Sequence, residues 1–179
     1  PWRSLWDAGV IVTNGTDVKL TAHGTVDPDG LGVAIATLAL QYPEETWTLE
    51  APTHLSIAKG LDVETLVLRA AEQRVEARVS LKQGVLDALV DATALELTRL
   101  PRAFVPTKWG LGGKLDLHAT AVGKSDKPDL EATLKWRDGS LRTLRQVDVD
   151  AKVGLKAMDR LTATASGSST LGKGSAEAT

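Results

Sequence analysis

Leu115-Asp116-Leu117-His118-Ala119-Thr120-Ala121, followed across a polar turn by Leu130-Glu131-Ala132-Thr133-Leu134-Lys135-Trp136, is the stretch that decides how this chain reads. Apolar side chains fall on every second position of both segments. Successive side chains of a strand point to opposite sides, so each segment reads as a strand with one apolar and one polar face. The same alternation returns through most of the 179 residues. One apolar face is therefore expected to run most of the length of the protein, and what covers it decides the function.

Turn residues punctuate the alternation at the intervals of an all-β meander. They are Asn14-Gly15, Asp27-Pro28-Asp29-Gly30, Tyr42-Pro43-Glu44-Glu45, Lys59-Gly60, Gln83-Gly84, the segment from Lys124 to Pro128, and Asp138-Gly139. Between them the strands read near Val10–Thr13, Asp17–His23, Val33–Leu40, Thr46–Ala51, His54–Ala58 and Val63–Arg69. The series continues with Arg74–Lys82, Ala88–Glu96, Lys114–Val122, Asp129–Trp136, Leu141–Val153 and Asp159–Ser166. Leu97, Leu100 and Phe104 break the rule with the spacing of one or two helical turns, and Pro101 and Pro106 confine any helix to a short piece near 97–105. That piece is expected to act as a plug or corner against the apolar face; an irregular loop is the alternative. The strand, polar turn, strand grammar of Trp47 to Leu68 returns from Gly113 through Pro128, as in a quasi-linear sheet that grows by adding strands.

Composition narrows the choice. Aromatic residues are only 4% of the chain, with one Phe and one Tyr beside five Trp, whereas a sandwich of this size fills its centre with several large rings. A face of Leu, Val and Ala suits a thin, smooth surface. The net charge of -2 is spread over mixed signs, without the basic stripe of a nucleic-acid binder. Cysteine is absent, which excludes disulfides and thiolate chemistry. The longest near-apolar run, Leu31 to Leu40, is half of a bilayer span. The chain opens without Met or a signal peptide and is expected to be a segment of a longer polypeptide.

No residues assemble into a catalytic or metal site. His23, His54 and His118 lie on separate strands and lack metal-site spacings. Asp27-Pro28-Asp29-Gly30 lacks the length and final Glu of a calcium loop, and Gly110-Leu111-Gly112-Gly113-Lys114 lacks the spacing, hydroxyl residue and helix of a phosphate loop. Asn14-Gly15-Thr16 fits a glycosylation tripeptide, but a hairpin already explains it. No acid/base pair or nucleophile triad can be argued from spacing, so neither enzyme activity nor a cofactor is expected. Trp2, Trp6, Trp47, Trp109 and Trp136 suit groove lips in principle, yet closing strand ends or packing as ordinary core residues is the simpler reading of each.

Trp47-x-Leu49-x-Ala51-Pro52, Leu97-Thr98-Arg99-Leu100-Pro101, Leu111-x-Gly113-x-Leu115-x-Leu117-x-Ala119-x-x-x-Gly123 and Pro128-x-Leu130-x-Ala132-x-Leu134 together resemble the TamB/AsmA-like family of large bacterial envelope proteins. The resemblance covers residues 46–166 best and 1–45 more weakly, so that 1–179 reads as part of a longer β-groove domain. It implies an elongated, curved, mainly antiparallel sheet forming a taco-like groove with a hydrophobic interior. It also implies inner-membrane anchoring of the full-length protein, a span across the periplasm of a Gram-negative cell, and phospholipid movement or protein assembly at the outer membrane. An outer-membrane β-barrel partner would engage regions outside this segment. The family's membrane anchor and terminal region are expected to lie outside this segment.

The expected lining is Leu115, Leu117, Ala119, Leu130, Ala132, Leu134, Val147, Val149, Ala151 and Val153, with Val75, Ala77, Val79 and Leu81 from earlier strands. From alternation alone these residues would equally line a closed core; the scarcity of large rings and the resemblance favour a groove for phospholipid acyl chains. Leu117→Arg or Leu134→Asp is then expected to spare the fold and abolish lipid loading. Two other readings stay open: a chaperone or scaffold that adds β-strands of outer-membrane proteins to its sheet, and a purely structural β-protein.

Overall fold

The computed structural model describes the backbone of residues 4–13, 17–42, 45–100, 107–157 and 159–178. Its strands are β1 (Ser4–Thr13), β2 (Asp17–Val26), β3 (Gly32–Tyr42), β4 (Glu45–Leu49), β5 (Thr53–Ser56), β6 (Leu61–Ala70) and β7 (Gln73–Lys82). They continue as β8 (Val85–Glu96), β9 (Gly112–Lys124), β10 (Lys127–Leu141), β11 (Leu144–Lys156), β12 (Arg160–Ser169) and β13 (Gly172–Ala178). All 13 belong to one sheet in chain order, with β5 off the main path and paired to β3 and β6. Each of the long hairpins from β6 to β13 pairs antiparallel.

The first and last strands do not meet, so the sheet is open and has two edges. At about 4.8 Å per strand it is roughly 50 Å wide. Its accessible surface of 11630 Å² exceeds the roughly 8,400 Å² expected of a globular monomer of this mass. A single layer explains the excess, because among the described residues neither face has a second layer packed on it. The all-β meander expected from alternation and turn spacing is what the chain adopts, as one large antiparallel sheet.

The main cluster of buried side chains lies at one end of the strands. Tyr42, Trp47 and Ala70 are buried together, and Val18, Leu40, Leu68, Val75 and Leu95 pack against them. The Trp47 indole N–H donates to Tyr42 Oη at 2.6 Å. Gln73, 1% exposed, ties the same end by donating to Glu45 and accepting from the Glu96 N–H. The expected helical piece is a 3-10 turn at Leu97–Arg99, with Leu97 buried where the chain leaves β8. A second 3-10 turn covers Thr107–Trp109, and Pro101, Phe104 and Pro106 lie outside the described residues. Trp47, in the middle of β4, packs as a core residue, Trp136 within β10 donates to the Gly112 carbonyl at 2.9 Å, and Trp109 is exposed. The side chains of Trp2 and Trp6 lie outside the described residues, as does the Asn14-Gly15 turn.

Two expectations need correction. Asp138-Gly139 is not a hairpin turn: β10 runs through it, and the turn comes at Arg142-Thr143. The strand expected over Leu141–Val153 accordingly starts at Leu144 and reaches Lys156. β13, absent from the expected series, forms from a Gly- and Ala-rich segment of weak strand propensity because β12 offers it a full ladder from Ala163 to Ser169.

The misread dipeptide belongs to a recurring device. Thr93 and Ala94 together oppose Asp116, Arg137 and Asp138 oppose Asp148, and Lys156 and Ala157 meet Asp129 at the strand end. In each case the second residue is left-handed, with φ of 54° at Ala94, 50° at Asp138 and 49° at Ala157. Its N–H is donated to the opposing Asp carboxylate, at 2.7, 3.0 and 2.7 Å respectively. Such a bulge absorbs one extra residue so that the apolar set beyond it returns to the same face, and it bends the strand. Gly113, at φ +98°, sits between the first two bulges, where a Cβ would lie 2.6 Å from the Arg137 carbonyl oxygen. Asp116→Ala is expected to cost about 1 kcal/mol by freeing a bulge N–H. Ala94→Gly is expected to add roughly 0.5 kcal/mol, since relief of left-handed strain outweighs the lost chain entropy. Urea midpoints of the two variants, moving in opposite directions, check the device.

Candidate functional site

Cross-strand register determines which side chains share a face, because directly paired residues point the same way. One row runs Leu68, Val75, Ala92, Leu117, Leu134, Ala151 and on to Ala165. A second runs Leu66, Ala77, Val90, Ala119, Ala132, Val153 and on to Ala163. A third runs Val79, Ala88, Ala121, Leu130, Leu155 and Leu161. No polar residue interrupts any of them.

All fourteen residues expected to line a groove fall on this face. Leu81 lies beyond the third row opposite Leu86, and Leu115 and Val149 flank Trp136 at the other end, with Val147 two residues on. Val147 differs from the rest in being buried at 9%, under the bulge where it pairs with Gly139. The remainder are half-buried, apart from Val153 at 42% exposed. The sequence reading left out Ala88, Val90 and Ala92 of β8 and Leu155, Leu161, Ala163 and Ala165 at the far end. Their alternation was available as a signal in each case.

The rows define an apolar surface roughly 20 Å by 35 Å, on the order of 700 Å², larger than the apolar patches of ordinary monomers. Within its second and third rows, from β8 to β12, is a hollow of about 390 Å³, within the size range of small-molecule sites. Its floor is made of alanines, Ala88 paired with Ala121 and Ala119 with Ala132, and its walls are Val90, Leu130, Val153, Leu155 and Leu161. Short side chains flanked by long ones make the depression. That residues from β8 to β12 line one hollow also requires the sheet to curve toward its apolar side. Leu117 and Leu134, directly paired, lie one row outside the hollow.

The opposite face carries charge pairs across neighbouring strands. Arg137 donates to Asp150 at 2.6 Å, His118 Nδ1 lies 2.7 Å from Asp91 Oδ1, and Arg78 is 3.9 Å from Asp87. Hydrogen bonding to Asp150 raises the Arg137 pKa. Exposed pairs like these contribute little each; their effect is to keep that face wet. A polar hollow of about 640 Å³ between β10 and β13, lined by Thr133, Lys135, Asp150, Lys152, Thr164 and Glu177, shows that the twisted sheet is concave there on its polar side too.

His54 Nε2 meets Asp27 Oδ2 at 2.8 Å, and the three histidines remain on separate strands. Among the described residues no three His, Asp or Glu side chains converge as a metal site would require. Among the same residues no helix is long and apolar enough to cross a membrane. Compared with protein-family models, curated proteins and solved structures, the chain finds no match.

Proposed function

We propose that this chain is part of a TamB/AsmA-like conduit whose apolar face shields phospholipid acyl chains on their way across the periplasm, without catalysis. The observation that carries the reading is the open apolar face with its alanine-floored hollow. Water is a poor partner for a surface of that size, and an acyl chain is a good one. Each methylene buried contributes about 0.8 kcal/mol, so some fifteen contribute on the order of 12 kcal/mol before entropic losses.

Transport requires that such binding be strong in total yet nearly level from step to step. The rows supply this: moving a chain across one strand, about 4.8 Å, exchanges Leu, Val and Ala contacts for others of the same kind. The headgroup stays in water at the strand ends. Family resemblance in the motifs around Trp47, Leu97, Leu111 and Pro128 supports the same assignment and is the source of the envelope location.

The unpaired outer edge of β13 supports a second reading, a scaffold that accepts β-strands of outer-membrane proteins by strand addition. Native mass spectrometry with lipid extraction, on protein purified from bacterial membranes in mild detergent, separates the readings. Co-purifying phospholipid is the expected result. An empty protein that also refuses a lipid probe overturns the conduit, and saturable binding of a β-strand peptide by that empty protein would favour the scaffold.

A further inference from the structure

Resting on the conduit reading, we propose that one lip of the groove selects acidic phospholipids, drawing a phosphate headgroup that carries no compensating cation of its own to Lys124, Lys127, Lys156 and Arg160. These four residues end β9, begin β10, end β11 and begin β12, so they stand side by side along one row of strand ends. Lys124 is directly paired with Lys127, and Lys156 with Arg160. Like charges directly opposite one another destabilise a sheet. Two such pairs in succession are a cost that a bound anion would remove.

Among the described residues none of the four makes an ion pair within 4.0 Å, although Asp126 and Asp159 lie in the same two turns. Other acids nearby are engaged: Asp129 accepts the Ala157 N–H at 2.7 Å, and Asp62 pairs with Lys82 at 2.9 Å. The hydrogen bond from Lys82 holds the Asp62 carboxyl below its usual range. The opposite lip is different, for there Arg99 is paired with both Glu45 and Glu96.

Position links these charges to the hollow. Leu155 and Leu161, which wall it, are the sequence neighbours of Lys156 and Arg160. Alternation puts the leucines on the apolar face and the cations on the polar one, where Lys152, Lys156 and Arg160 line a second hollow of about 600 Å³ together with Asp129 and Glu131. The sheet is one layer thick, so its lip is where the two faces come within a side chain's length of each other. Long basic side chains can bend their charged heads around such an edge while their stems stay on it. An acyl chain against Leu155 and Leu161 thereby brings its phosphate to the basic lip.

The test uses fluorescent phosphatidylglycerol and phosphatidylcholine of identical short chains, each presented below its micellar concentration to delipidated protein. Phosphatidylglycerol is expected to bind about tenfold more tightly at low salt, with the preference shrinking toward unity at high salt. The variant carrying Lys124→Gln, Lys127→Gln, Lys156→Gln and Arg160→Gln should bind the two lipids equally, its affinity for phosphatidylglycerol falling about tenfold further than its affinity for phosphatidylcholine. Equal wild-type binding of the two lipids, or a preference that survives in the quadruple variant, overturns the selective lip and leaves the groove standing. Failure to bind either lipid overturns the groove itself.

Discussion

Trp47→Ala is expected to cost about 3–5 kcal/mol, the largest loss of stability from any single truncation in the chain. In a protein of this size that is a fall in Tm on the order of 10 °C. Trp47 is 5% exposed at the centre of the buried cluster with Tyr42 and Ala70, where strands β3, β4 and β6 meet. A sheet one layer thick has few places to bury a large side chain, so a cavity here has no second core to compensate it. The indole N–H bond to Tyr42 Oη is lost as well. Leu134→Ala provides the contrast: on the open face it leaves no enclosed cavity and should cost about 1 kcal/mol or less, at the low end for a truncation. Denaturant unfolding followed by far-UV circular dichroism measures both. Equal losses in the two variants would mean that the apolar face, and not this cluster, is the core.

Ala132→Arg is expected to reduce lipid uptake by more than tenfold while leaving the thermal unfolding midpoint within a few degrees of wild type. Ala132 lies in the floor of the hollow, between Ala119 and Val153 on the neighbouring strands. A guanidinium there must be desolvated for an acyl chain to lie over it, and an unpaired charge resists that strongly. With the chain absent the same side chain can lift into water, so the fold loses little. This position is a sharper probe than Leu117 or Leu134, which the register places one row outside the hollow. Thr133→Arg, one residue along and on the polar face opposite His118 and Lys152, should leave uptake unchanged. A loss in both variants would point to general damage, and a loss in neither would remove the hollow from any role in lipid binding.

Particular residues show why some of this was legible in the sequence. The alternation from Leu115 to Ala121 and from Leu130 to Trp136 places each side chain on its face without reference to any other strand, and register then aligned Leu117 with Leu134 and Ala119 with Ala132 as that pattern required. Asp138-Gly139 misled because the residues that make a tight turn also make a left-handed bulge, and only the pairing with Asp148 and Val147 tells them apart. β13 was invisible because Gly172, Gly174 and a few small residues have no preference of their own. The carboxylates that cap the bulges, Asp116, Asp129 and Asp148, looked like ordinary solvated positions of a polar face.

The sequence by itself determined that the chain is all-β and which residues share the apolar side, because period-two alternation is a property of each strand taken alone. Only the tertiary structure decided that this side stays open in a single layer, that the sheet curves over an alanine floor, and that Lys124 meets Lys127 and Lys156 meets Arg160 along one lip. Curvature, register and coverage arise from bulges and pairings between segments distant in the chain. The same alternating strands, bent and paired otherwise, would have closed on themselves.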